Sequence, residues 1–211
     1  MNTIHVYNGA MPSVKSTRRL PVQARSQERV ERIVAAATAL VEEQGVDAAT
    51  TRAIATAAGV PVATLYQFFA DRDAVLDAVL ERELDALDRH VAARSPAAAT
   101  LAGFIDFAFE VHRAYYRSRP AFARLWFGGR RTPPVEAAVR ARGRRLAHEW
   151  HAVMVGAGLI SPSTDPIVAE LAVELGDRVF ECAYRREPEA EEALFAEGKQ
   201  AVTAYLAAHA G

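Results

Sequence analysis

The sequence predicts an all-α protein, on three observations. Apolar residues recur at helical spacing along most of the chain, first as Val30, Ile33, Val34, Ala37, Leu40 and Val41. No segment alternates apolar and polar residues as a half-buried strand does, and no internal repeat is present. Glycines and prolines fall between the periodic segments, where helices stop and start.

Residues 1–24 mix Asn, Gly, Pro, Ser and basic residues without periodicity and read as a flexible basic tail. The first helix is expected from near Ser26 to Gln44, with Gly45 as its stop. Eighteen uncharged residues, Ala53 to Ala70, then appear in a chain that is 24% charged. Their length suits a membrane span, but Thr56, Thr64, Gln67 and the break at Gly59-Val60-Pro61 argue for two short helices and a tight turn. Thr50 can N-cap the first, from Thr51 to Ala58, and Gly59 tolerates the positive φ of a helix stop. Pro61 opens the second, where its missing N–H costs nothing. Ile54, Ala55, Ala58, Val60, Leu65 and Phe69 form one inward face, leaving Val62, Ala63, Thr64, Tyr66, Gln67 and Phe68 nearer the surface.

Asp71 can cap a long helix to about Ala93, with Val75, Leu76, Val79, Leu80, Leu84 and Leu87 inside, closed by Ser95-Pro96. Further helices are expected at Thr100–Arg119, Ala121–Phe127, Val135 to about Val155, Pro166–Arg186 and Glu189–Ala208. Loops separate them at Gly128–Pro134 and Gly156–Asp165. Glu187, Glu189, Glu191 and Glu192 read as a solvated turn and helix start, where negative charge suits the dipole.

A chain of 211 residues, 51% hydrophobic, can bury a sizeable core in one large or two small domains. The net charge is only −1, but through Arg72 there are eight Lys/Arg against six Asp/Glu, net +2. Totals of 25 and 26 leave 17 against 20 for the remainder, net −3, which suits an anionic partner at the N-terminal end. Cys182 is the only cysteine, so no intrachain disulfide can form, and its apolar neighbours point to a buried thiol. No signal-peptide stretch or spanning run is seen, so the expected location is cytoplasmic, without a membrane.

A short helix exposing small residues, a hydroxyl, an amide and two aromatics is what a DNA major groove accepts. The chain here resembles the TetR (tetracycline-repressor-like) family of bacterial regulators. The resemblance is carried by Ile33-Val34-x-Ala36-Ala37-x-x-Leu40, Gly45 and Thr50-x-Arg52-x-Ile54-Ala55-x-x-Ala58-Gly59-Val60. Thr64-Leu65-Tyr66-x-x-Phe69 and Arg72-Asp73-Ala74-Val75-Leu76 complete it, over about a quarter of the chain. Val62 stands where a lysine or similar polar residue is common, Gln67-Phe68 where His-Tyr is common, and Arg72 where lysine is usual. These departures bear on which DNA sequence is read.

The resemblance implies a tail over residues 1–24, a helix-turn-helix domain over 25–72, and a helical effector-binding and dimerisation domain over 73–211. Thr50 and Arg52 begin a helix where N–H groups and a cation can meet phosphate, and the resemblance supports phosphate roles for Thr64, Tyr66 and Arg72. Val62 and Ala63 lie on the same exposed face. Gln67 is the candidate base reader, able to pair with adenine for ~1–3 kcal/mol of discrimination; its alternative is a solvated amide. Phe68 touches either a thymine methyl or the linking helix. The tail is either a basic arm along DNA or an untidy terminus.

One short helix discriminates too little for a genome, and two-fold dimers reading two half-sites solve this. Leu171, Leu175, Val179 and Cys182 on one C-terminal helix, and Val202, Tyr205 and Leu206 on the last, are the expected homodimer face. The alternative is that both stripes complete the monomer core. Phe104, Phe107, His112, Tyr115, Tyr116, Trp126, Trp150, His151 and Met154, with Arg178 and Glu181 as polar anchors, are the candidate lining of an effector pocket. Composition suggests a small hydrophobic or aromatic effector. His148 and His151 are spaced for one metal but lack further ligands, so no metal, cofactor or catalytic residue is assigned.

The expected protein is therefore a repressor that binds a double-stranded palindromic operator and is released by an effector. Its rivals are an effector-independent DNA-binding or interaction protein with a packed C-terminal core, and, far behind, a small helical enzyme. A thermal-shift screen with hydrophobic compounds separates the first two.

Overall fold

The computed structural model describes residues 20–94, 96, 98–128, 132–185 and 188–210. Among them are nine α-helices and no strand. The first four are α1 (Leu20–Gln44), α2 (Thr51–Ala57), α3 (Val62–Phe68) and α4 (Arg72–Ala92). There follow α5 (Leu101–Ser118), α6 (Pro120–Gly128), α7 (Pro133–Gly156), α8 (Ile167–Ala183) and α9 (Pro188–Ala207). Lys15, Arg18 and Arg19 of the expected tail, Ser95, Gly129 to Arg131, Arg186 and Glu187 lie outside the described residues. The expected tail ran to residue 24, but α1 begins at Leu20.

Local chemistry sets the element ends. Gly45 and Gly59 have φ of +88° and +63°, conformations that cost a β-carbon and not a glycine. Thr50 caps α2 by accepting from Ala53 N at 3.2 Å, and Asp71 caps α4 by accepting from Ala74 N at 2.8 Å. Thr100 caps α5 by accepting from Gly103 N at 3.1 Å. Pro61 is the N-cap of α3, one residue ahead of the expected position.

The N-terminal helices meet on Ile33, Val41, Ile54, Leu65 and Val75, each 0% exposed. Here α1 packs against both α2 and α4, and α2 against α3. The C-terminal helices surround α5, which packs on α4, α6 and α9, while α8 lies between α7 and α9. Ion pairs fasten the layers. Arg142 of α7 donates at 2.6 Å to both Asp85 and Asp88 of α4. Lys199 of α9 lies 3.2 Å from Asp106 and 2.9 Å from Glu110 of α5. Glu192 keeps the solvated position expected of it, with its side chain 61% exposed, whereas Glu191 is half-buried. Arg113, 7% exposed, pairs with both, and its guanidinium lies 4.7 Å over the Phe195 ring. A cation that deeply buried requires partners, and the first turn of α9 supplies them.

Candidate DNA-reading face and ligand cavity

α3 is anchored by Leu65 and shows its other side to solvent. Val62 is 37% exposed, Tyr66 52%, and Ala63 and Gln67 are also exposed. Thr50 and Arg52, at the start of α2, are exposed as well. Thr51 Oγ1 lies 3.4 Å from Tyr66 OH, bringing the start of α2 alongside α3. Thr64 is half-buried, and Phe68 packs against the core.

Arg72 opens α4, as expected of a residue on the DNA flank, and its guanidinium is engaged within the subunit. Its Nε donates to Ala49 O at 2.9 Å and its Nη2 to Val46 O, while Nη1 lies 4.0 Å from Asp73. The guanidinium thus latches the start of α4 to the 3-10 turn, Val46–Ala48, that precedes α2. Sequence spacing gave no hint of bonds that span 23 and 26 residues.

In the C-terminal part a cavity of about 50 Å³ lies between α5, α7, α8 and α9. Four of the expected lining residues, Phe104, His112, Trp150 and Met154, meet there. Phe109 and Phe180 border it too, while sequence reasoning missed Ile105, Leu146, Val173 and the backbone at Gly176, because aliphatic wall residues look like any other core residues. A wider cleft of about 300 Å³ lies beside it, bordered by Asp88, Arg94, Arg142, Arg145, Glu149 and Val153. His112, Leu146 and Trp150 border both spaces and form their common wall.

The other expected lining residues go elsewhere. Tyr115 donates to Glu83 Oε2 at 2.9 Å across α4 and α5, and burial raises its phenol pKa well above the ordinary value. Tyr116 stands in an aromatic cluster with Phe122, Phe127, Phe180 and Tyr184. Trp126 packs on Phe122, and Phe107 is half-buried at the edge of the core. His151 Nε2 donates to Thr164 O at 2.8 Å, whereas His148 Nε2 faces Glu170 at 2.8 Å, so the two imidazoles have separate partners. Among the described residues no group of three or more His, Cys, Asp or Glu is placed to hold a metal. Arg178 and Glu181 pair on the surface of α8 at 2.6 Å.

Residues 33–79 match the family model for bacterial regulatory proteins of the tetR family. Residues 96–206 match that for the tetracyclin repressor-like C-terminal domain. The chain belongs to the TetR family. It is thus a DNA-binding transcriptional regulator, of a family of transcription factors and not of enzymes.

No curated protein matches the chain. A TetR-family regulator from Streptomyces coelicolor is 28% identical, with a TM-score of 0.59 over 84% of this chain and 97% of that one. A TetR-family regulator from Pectobacterium atrosepticum has the same fold at 19% identity, with a TM-score of 0.66 over 87% of this chain and 95% of that one. A TetR variant from Acinetobacter baumannii AYE, solved in complex with minocycline, is 22% identical, with a TM-score of 0.56 over 82% and 92%.

The surface expected to serve a TetR-type dimer divides in two. Ile167, Leu171 and Leu175 stand out along α8, 64%, 47% and 39% exposed. Val202 and Leu206 depart from the expectation: at 3% and 1% exposed, they border the cavity within the subunit. Val179 packs against α9 at Gly198, and Cys182 and Tyr205 are half-buried. No helix among the described residues is long and apolar enough to cross a membrane.

Proposed function

We propose that this TetR-family protein acts as a homodimeric repressor whose α3 enters the major groove of each operator half-site. A small apolar effector entering the C-terminal domain would then release it. Gln67 reads a base, Tyr66, Thr64 and Arg52 meet phosphates, and Ile167, Leu171 and Leu175 face the second subunit. The complex of the Acinetobacter protein with minocycline supports a ligand-responsive reading.

One observation carries the proposal. The 21-residue helix α4 is bonded through Arg72 to the turn before α2 at one end. At its other end, Asp88 and Val91 border the outer cleft. A helix of that length spans about 30 Å, so a shift at the cleft end re-aims α3. Release requires an effector that binds the DNA-incompetent arrangement better than the competent one.

The test is fluorescence anisotropy with DNA from beside the gene, against random DNA at about 0.15 M salt. A preference of ~10³-fold or more, with two subunits per palindrome, is expected. Equal weak binding to both, from every flanking segment tried, overturns the operator reading. The effector-independent alternative has one observation in its favour: a cavity of about 50 Å³ is far below the usual ligand pocket. It predicts that no hydrophobic compound raises the melting temperature.

A further inference from the structure

The wall between the inner cavity and the outer cleft has an unusual polarity. His112 Nδ1 lies 2.8 Å from Ala108 O. A carbonyl can only accept, so Nδ1 carries the proton and donates to it. Nε2 of the neutral ring is then an acceptor, and no bond to it is made among the described residues. Burial lowers the His112 pKa and keeps the ring neutral. The Trp150 ring stands edge-on to it, with centroids 5.8 Å apart.

Apart from His112, the inner cavity is nearly all apolar, bordered by the Asp177 carboxylate, an acceptor like Nε2, and by Trp150, whose indole N–H is a donor. Of the guanidiniums around the outer cleft, two face carboxylates and one a carbonyl. Arg142 is bonded to Asp85 and Asp88, Arg145 lies 3.6 Å from Asp88, and Arg94 donates to His90 O at 2.7 Å. A carboxylate entering the inner cavity would therefore face acceptors at His112 Nε2 and Asp177.

We infer that the effector is an elongated, largely apolar molecule carrying a neutral hydroxyl group that donates to His112 Nε2. Its apolar end fills the inner cavity and the remainder reaches the outer cleft. This rests on the ligand-release reading above and adds the chemistry of the ligand. A cavity of about 50 Å³ is smaller than an aromatic ring requires. Entry must displace Leu146 or Trp150, which border both spaces, and so part α7 from α5. The ligand thereby favours a packing different from the empty one, as release demands.

Calorimetric titration of the full chain with 4-hexylphenol, 4-hexylanisole and 4-hexylbenzoate tests this. The phenol is expected to bind ~10-fold tighter than either of the others, because only it supplies a donor. His112→Phe should bring phenol and anisole to within about twofold, and Leu146→Ala should tighten both without changing their order. Should His112→Phe fail to fold, as judged by circular dichroism, the wild-type and Leu146→Ala series still decide the matter. Equal binding of phenol and anisole, tighter binding of the benzoate, or a phenol preference that survives in folded His112→Phe overturns the inference. So does absence of phenol binding to both wild type and Leu146→Ala. Operator anisotropy on the same preparations separates the two readings. Release by a compound lacking a donor leaves ligand release standing and removes this inference. A phenol that binds as expected but never releases DNA counts against the release reading and leaves His112 as a hydroxyl-binding site without an effector role.

Discussion

Arg72 and Gln67 illustrate how far one residue's role depends on its neighbours. Arg72→Ala removes two charge-assisted bonds to backbone carbonyls, so a loss of roughly 1–2 kcal/mol in thermal stability is expected for a partly exposed group. Arg72→Lys should not restore it, because an ammonium lacks the fork that reaches both carbonyls. Unchanged stability, with a salt slope of DNA binding lowered by ~1, would instead return Arg72 to the phosphate role. Gln67→Ala should relax preference at one operator position by ~1–3 kcal/mol and leave other positions unaffected; uniform weakening across operator variants would exclude base reading. Tyr184 gives a pH-dependent test. Burial first, then the Glu191 carboxylate, pushes its phenol up to about 12. A folded-state pKa above the unfolded value of 10 keeps stability intact below pH 10 and loses it as pH rises towards 12. Tyr184→Phe should flatten that decline in an alkaline denaturation series, and it should cost little at neutral pH because the buried hydroxyl has no hydrogen-bond partner among the described residues. The outward placing of Val62, Ala63, Tyr66 and Gln67 was legible, since Leu65 had to face inward, but Thr64 and Phe68, expected nearer the surface, are half-buried. The latch of Arg72 was not legible, because local sequence cannot encode which distant carbonyls a guanidinium reaches.

At the scale of the element, the crossing of α8 and α9 is set by Gly198. A β-carbon there would stand 2.5 Å from Val179 Cγ1, closer than atoms tolerate. Val179 is β-branched and stiff, so it cannot swing away cheaply. Gly198→Ala would gain roughly 0.5–1 kcal/mol of helix propensity but lose about 1–3 kcal/mol to overpacking, and the clash wins. A lowered melting temperature is expected, recovered in part by Val179→Ala; an unchanged or raised value would mean the crossing is loose. The caps at Thr50 and Asp71 were readable because each depends on a few consecutive residues, whereas Thr100, expected inside its helix, is the cap of α5. The early start of α1 was missed, since its first residues carry no apolar period of their own.

For the whole molecule, the exposed stripe Ile167, Leu171 and Leu175 is the proposed contact between subunits. Leu171→Glu combined with Leu175→Glu should give a folded monomer by sedimentation, with operator affinity weaker by ~100-fold or more, since one half-site is lost. A dimer that survives both substitutions would move the interface to another surface. Val202→Ala, by contrast, should lower stability and leave the oligomeric state unchanged, because Val202 is buried within the subunit.

Local sequence sufficed for the all-α class, the order of the helices, the helix-turn-helix and most of its outward residues. Each follows from periodicity, capping and turn chemistry acting over a few residues. Which apolar residues close a cavity and which stay exposed was settled by long-range packing. Val202 and Leu175 lie on stripes of the same period, yet one is 3% and the other 39% exposed. Helical spacing says that a face is apolar; what covers that face depends on how helices distant in sequence pack against it.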